Sequence, residues 1–389
     1  MNPISFSSCG RGRGRGRSAR LVFTVSVLTL AALRAPAGDW PHWRGPARNG
    51  ISAETEWASQ FSAEGPKVLW KAKVGMGFAS VSVVNGRAYT TGNQADKDTV
   101  YCLDAATGKV IWQHSYAAPL DAKYYEGGTS STPTVEGGLV YTLSKRGVVH
   151  CLEASTGAVR WTKDVAAEVG AKMPTWGYAG SVLIDGSRAV LNIGTHGVAV
   201  NKATGQVLWK TGNGESGYST PLPYEYKGTK AYLIFAAKEL VAVRADSGGR
   251  IWSHPWETSY DVNAADPVVV GPDRLFIASG YNRGGALLDV SGDKPKVVWE
   301  NKNIRSHFNP AVLHDGHLYA IDGDVGKAQL RCVEVTTGKP LWTFKDTNHG
   351  AIALADGRLM VISEKGELML GAAKPEAFKP ETRVQVSGG

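Results

Sequence analysis

Few side chains in this 389-residue chain are spaced for chemistry, and most of those suit recognition better than turnover. Asp261, Asn263 and Asp266 are oxygen donors close together in sequence, the type of set a hard cation such as Ca²⁺ needs once the backbone converges it. His307, His314 and His317 are also neighbours in sequence. His314 and His317, however, bracket Asp315-Gly316, a tight-turn dipeptide expected on the opposite face from His307, so no metal site is expected. Asp322-Gly323-Asp324 places two carboxylates in a turn, where solvation is the commoner fate. There is no GxSxG elbow, HExxH pair, phosphate loop or dinucleotide fingerprint, and no catalytic residue is assigned. What remains is aromatic. Tyr124, Tyr125 and Glu126, then Trp176 and Tyr178, Tyr218, then Trp256, Tyr260 and Asn263, and His307, fall in segments linking strand-rich stretches. Tryptophan and tyrosine give large rigid contact area with a polar tip. Together these residues are candidates for a surface that binds a protein, a small molecule or a saccharide.

The elements that must position them are set by a repeat. Trp70, Trp112, Trp161, Trp209, Trp252, Trp299 and Trp342 are separated by 42, 49, 48, 43, 47 and 43 residues. Five of them follow a Thr-Gly or Ser-Gly pair, four residues after the glycine: Gly108, Gly157, Gly205, Gly248 and Gly338. A period of roughly 40–50 residues marks an array of one supersecondary unit. Each unit reads as four short strands with glycine-bearing turns. In residues 129–164 the strands are Ser131–Val135, Leu139–Ser144, Val148–Glu153 and Val159–Thr162. Asn85-Gly86, Asp185-Gly186, Asp315-Gly316 and Asp356-Gly357 are first-turn dipeptides suited to positive φ. The expectation is an all-β fold, a β-propeller of four-stranded antiparallel blades.

Three residues into each third strand the aligned position is small: Cys102, Cys151, Ala199, Ala242 and Cys332. An indole on the fourth strand facing it suits docking between blades, so all seven tryptophans are assigned structural roles. Equivalent points on neighbouring blades lie beyond the ~7 Å Cα limit for a disulfide, so none is expected.

Residues 1–37 read as a secretory signal, with arginines, an apolar run over 21–33 and Ala35-Pro36-Ala37 before Gly38. That segment carries six arginines and no acid or lysine, so the formal charge falls from +8 to +2 without it (8 − 6 = 2). A basic face for nucleic acid is therefore not expected. The reading divides the chain into the signal at 1–37, an N-terminal extension at 38–66, the propeller at 67–386 and a tail at 387–389. It expects an exported, periplasmic or extracellular monomer with no membrane span in the mature chain.

The stretch from Leu103 through Thr107-Gly108 to Trp112 resembles the repeat of the pyrroloquinoline-quinone (PQQ)-like propeller family, and lacks the marks of a WD repeat. The opening Asp39-Trp40-Pro41-His42-Trp43-Arg44-Gly45-Pro46-Ala47-Arg48-Asn49-Gly50 resembles secreted bacterial proteins of that group, as do Trp176-Gly177-Tyr178 and Ser279-Gly280-Tyr281 through Leu288. The resemblance implies an eight-bladed ring in which residues 67–74 complete the last blade. Seven repeats are present, so that blade is expected to be incomplete, with three of its strands beyond Gly389. The alternative is a seven-bladed ring closed directly. The resemblance also implies two classes of activity, quinone-dependent dehydrogenases and non-catalytic scaffolds of outer-membrane protein assembly, the latter including BamB. A dehydrogenase would need an indole under the quinone, Ca²⁺ ligands and an aspartate base, and in many members two adjacent cysteines, which are missing here. A non-catalytic binding scaffold without a cofactor is expected. The alternatives are a PQQ- and Ca²⁺-dependent oxidoreductase and an assembly-factor-like role.

Overall fold

A computed structural model describes residues 38–55, 57, 61, 65–324 and 327–387. The expected export signal lies outside these residues. Among them are seven sheets, each with four antiparallel strands in sequence order; the last carries a fifth, short strand paired in parallel. The first blade comprises Ser82–Val84, Arg87–Gln94, Lys97–Asp104 and Val110–Ala117. The second opens at Thr134–Glu136, the third at Leu183–Asp185, the fourth at Leu222–Tyr226, the fifth at Val268–Gly271, the sixth at Val312–His314 and the seventh at Ala351–Ala355. The molecule is a β-propeller. Its one helix among the described residues, Val165–Val169, is a single turn capped by the Asp164 carboxylate and by Gly170 at φ 67°.

The expected cross-strand register is present. Cys102 faces Trp112, Cys151 faces Trp161, Ala199 faces Trp209, Ala242 faces Trp252 and Cys332 faces Trp342. The three cysteines are free and buried. Burial pushes the thiols of Cys151 and Cys332 up to about 11.

Six of the seven indoles hydrogen-bond to the backbone of the blade that follows. The Nε1 groups of Trp70, Trp112, Trp161, Trp209, Trp299 and Trp342 donate to the carbonyls of Ala105, Ala154, Lys202, Ala245, Val335 and Lys374. The ring of the preceding tryptophan covers the turn glycine: Trp70 over Gly108, Trp112 over Gly157, Trp161 over Gly205, Trp209 over Gly248 and Trp299 over Gly338. The glycine of the repeated phrase is thus required twice. It takes a positive φ, and a side chain there would enter the neighbour's indole. Trp252 is the exception. The fifth blade has Asp289-Val290-Ser291-Gly292 in place of the Thr-Gly phrase, and the Trp252 Nε1 has no acceptor among the described residues. Its ring packs edge-on against Tyr224 and Tyr226, both 6.4 Å away.

The first turns at Asn85-Gly86, Asp315-Gly316 and Asp356-Gly357 have positive φ at both residues. In the third blade Asp185 pairs with Arg188, so Gly186-Ser187 occupy the turn rather than Asp185-Gly186. Glycine at the first central position is the pattern of a type II′ turn.

The first part of the N-terminal extension contacts five blades. Trp40 exchanges two backbone hydrogen bonds with Val83 of the first blade, and Pro41 accepts from Val135 of the second. The Trp43 Nε1 donates to Asp266 of the fifth blade, 2.7 Å away, and the Arg44 guanidinium donates to Ala311 of the sixth at 2.8 Å. Ile51–Ser52 then pairs in parallel with the inner strand of the seventh. Residues 40–52 therefore cross the channel at the end where the first turns lie. Gly45 packs on the Trp40 ring, with no room for a side chain. Residues 67–74, expected as a closing strand, form none, although Trp70 keeps its place on the first blade.

Candidate functional site

The channel's opposite end carries the second turns and the links between blades, and here several expected residues meet. Trp176, from the link after the second blade, lies 6.1 Å from Tyr218 and 6.3 Å from Tyr260, measured between ring centres. Tyr260 packs edge-on against Tyr281 at 4.9 Å, and Tyr281 against His307 at 4.7 Å. The His307 ring stacks on Phe308 at 3.8 Å with planes 15° apart. Six rings from four successive links and one turn thus form a continuous arc. Tyr260 and Phe308 are more than half exposed, while Tyr218 and His307 are buried beneath. Tyr281 is held at φ 51°, an unusual conformation for a bulky residue and a form of local strain that concentrates at functional positions.

The support beneath the arc explains the other expected residues. Asn263, fully buried, donates its amide to the carbonyls of Ala236, Ala237 and Trp256, and its oxygen accepts from the Ser279 hydroxyl. Its own carbonyl accepts from the Tyr218 backbone N–H at 2.9 Å. Trp256 is also fully buried, donates to Ser279, and lies under the Arg283 guanidinium at 3.5 Å. Tyr178 is buried as well, packed in the core between the second and third blades. These three are framework and present no surface to a ligand.

Tyr124, Tyr125 and Glu126 sit apart, over the first two blades. Tyr124 is exposed, and Tyr125 packs on Phe78 at 5.7 Å with the Lys145 ammonium 5.0 Å above its ring. Tyr281, quoted above only within a family-like stretch, and Phe308 were not among the candidate site residues. Tyr281 stands in a Gly-Tyr-Asn turn, and nothing in the sequence marks Phe308.

The expected oxygen donors do not converge. Asp266 is buried with one oxygen accepting the Trp43 indole N–H and the other the Thr220 backbone N–H. Asp261 lies 3.8 Å from the Lys238 ammonium, and the Asn263 oxygen is taken by Ser279. Asp322 is fully buried between Arg305 at 3.0 Å and Arg331 at 3.1 Å. Among the described residues no group of three His, Cys, Asp or Glu side chains is placed to hold a metal ion. His314 pairs across the first turn with His317, at the far end from His307.

A family model described as outer membrane protein assembly factor BamB matches residues 54–129 and 96–344. The chain belongs to this family. Among solved structures it is similar to BamB from Moraxella catarrhalis, at 14% identity over 77% of this chain and 88% of that one, TM-score 0.56. It is also similar to a europium-containing methanol dehydrogenase, at 13% identity over 91% of this chain and 86% of that one, TM-score 0.69. The quinohemoprotein alcohol dehydrogenase ADHIIG of Pseudomonas putida HK5 matches at 14% identity over 91% and 73%, TM-score 0.67. These likenesses show the fold. A search of the curated proteins returned no match.

Among the described residues the oxygen donors that a Ca²⁺ site of the dehydrogenase alternative would use are not brought together. The Asn263 oxygen accepts from the Ser279 hydroxyl, the Asp266 oxygens accept from the Trp43 indole and the Thr220 amide, and Asp322 lies between two arginines.

Burial pushes the Asp266 carboxyl up to about 6, against the pull of Arg44 and of its two donors. The ordinary value in the unfolded chain is 3.8, so between pH 4 and 6 the folded form holds the extra proton. This group's contribution to stability is then full below pH 4 and lost as pH rises through 6, by about 3 kcal/mol in total. Urea unfolding of the protein and of Asp266→Asn at pH 4 to 7 should show the difference between them changing by roughly that amount. A pH-independent difference would contradict the assignment.

Proposed function

We propose that the protein is an exported, non-catalytic propeller that binds a segment of another protein on its link-bearing face. The observation carrying this reading is the continuous aromatic arc from Trp176 to Phe308. Interface energy concentrates in Trp, Tyr and Arg side chains backed by a rigid support, and the Asn263–Ser279–Trp256 network supplies that support. The other end of the channel is crossed by residues 40–52, which leaves the link face as the open one. Export follows from the basic and apolar leader; a monomer is the simplest state of such a ring. The seven tryptophans are blade-docking residues in this reading, and their contacts do not contribute to binding.

Family membership favours one class of partner, a component of outer-membrane protein assembly. Affinity capture with the purified protein, run against Tyr260→Ala/Phe308→Ala, should retain the barrel-assembly machinery only with the unsubstituted arc. Loss of about 2–4 kcal/mol, or 30-fold or more in Kd, is expected for the pair. Equal capture by both would remove the arc from the reading. The oxidoreductase alternative separates by adding PQQ and Ca²⁺ and following absorbance and dye-linked alcohol oxidation. A stoichiometric chromophore with turnover would overturn the scaffold.

A further inference from the structure

The boundary between the seventh and first blades differs from the others. In each of the first six blades a tryptophan holds one register position on the fourth strand, from Trp112 to Trp342. In the seventh blade that position is Thr382, opposite Leu370 as Trp342 is opposite Cys332. The seventh blade therefore offers no indole to a regular blade placed after it.

Across the boundary the indole is present but its blade is not. The Trp70 ring covers Gly108, and its Nε1 lies 3.0 Å from the Ala105 carbonyl, the docking seen at the later tryptophans. Residues 67–74 thus take the place of a fourth strand, and Gly65 just before them packs on Val384 of the seventh blade. Every other fourth strand pairs with a third. Residues 67–74 make no backbone hydrogen bond among the described residues. Apart from Trp70 and Val74 they are exposed, Val68 at 52% and Leu69 at 72%. Val68, Trp70 and Val74 are strand-forming types, and such a run with its N–H and C=O groups unpaired is a template for another chain.

Charge selects the strand that fits. Side chains alternate in direction along a strand, which places Lys67, Leu69, Lys71 and Lys73 together on the face away from Trp70. The three lysines form no ion pair among the described residues. Pairing with a second copy sets ammonium groups against one another, whereas carboxylates opposite them are stabilising.

We propose that residues 67–74 accept, as an antiparallel neighbouring strand, an extended segment of a partner protein in which acidic and apolar residues alternate. Backbone pairing holds the segment, and side-chain charge chooses it. Its apolar residues lie toward the first blade, and its acids face Lys67, Lys71 and Lys73. This surface is separate from the aromatic arc, and the proposal does not depend on the arc having a partner.

The test uses the full chain and a peptide alternating glutamate and valine, matched in length to residues 67–74. Titration calorimetry reads affinity, and hydrogen–deuterium exchange reads location. A Kd of about 100 μM is expected, with exchange slowed across residues 67–74. Replacing glutamate by lysine in the peptide should weaken binding roughly tenfold or more. N-methylation of alternate peptide amides, in one of its two registers, should do the same by removing the donors on the pairing edge. Lys67→Glu/Lys71→Glu/Lys73→Glu should reverse the preference and favour the lysine peptide, a change that loss of folding cannot produce. No binding, protection elsewhere on the chain, or equal affinity for the two peptides would overturn the proposal. So would amides 67–74 already protected without peptide, at all concentrations by another segment of this chain or only at high concentration by a second copy.

Discussion

Trp209→Ala is expected to cost about 3–5 kcal/mol of stability, the range for truncating a buried aromatic residue. The indole is 7% exposed, stacks with Tyr232 at 6.3 Å, and donates to Ala245 across the blade boundary at 3.1 Å. The same contact can be broken from its other side. A methyl group on Gly248 would lie 2.6 Å from the Trp209 ring, whereas one on Gly228 would meet nothing within 4 Å. Both glycines have φ near 70°, 72° and 74°. Gly248→Ala should therefore exceed Gly228→Ala, which pays only the backbone term of about 1–2 kcal/mol, by 2 kcal/mol or more. Urea unfolding of the three variants decides it. Equal losses at the two glycines would mean that the indole contact contributes little.

Arg44→Met should be comparably damaging, about 3–5 kcal/mol, for an electrostatic reason. Arg44 is 8% exposed and donates to the Asn49 and Ala311 carbonyls at 2.6 and 2.8 Å. Burial lowers the guanidinium to about 10, and the Asp266 carboxylate opposes that fall, so the group stays charged near neutral pH. Removing it takes away the stronger of the two cations acting on buried Asp266, leaving Arg48 alone, and orphans the two carbonyls it bonds. Adding Asp266→Asn should recover part of the loss, since a neutral pair is far cheaper to bury than a carboxylate that has lost its stronger cation. A double-mutant cycle in urea measures the coupling. Additive losses would show that the two groups do not act together.

The fold was largely legible because a period of indoles and turn glycines is a one-dimensional signal. Facing pairs such as Cys102 with Trp112 followed from aligning the repeats. Two aspects of the fold were not legible. That each turn glycine is the floor for the preceding blade's indole needs adjacent blades set side by side, because Gly248 and Trp209 belong to different repeats. The path of residues 40–52 is set by single contacts to distant blades, such as Trp43 to Asp266, and no periodicity marks them.

The site was legible in part. Trp176, Tyr218, Tyr260 and His307 were found because aromatic residues in links are visible in sequence, and the arc unites them. Trp256, Tyr178 and Asn263 come from the same links yet face inward. Which way a link residue turns depends on the carbonyls it satisfies, as Asn263 satisfies three. Composition does not encode that choice.

The most direct test of recognition by the link face is site-specific photocrosslinking in living cells that export the protein. A photoreactive phenylalanine would replace Tyr260 on the arc or Lys109 beside the Gly108 turn on the opposite face. Discrete protein adducts from position 260 and none from position 109 are predicted. Adducts from position 109 alone, or equally from both, would contradict the account.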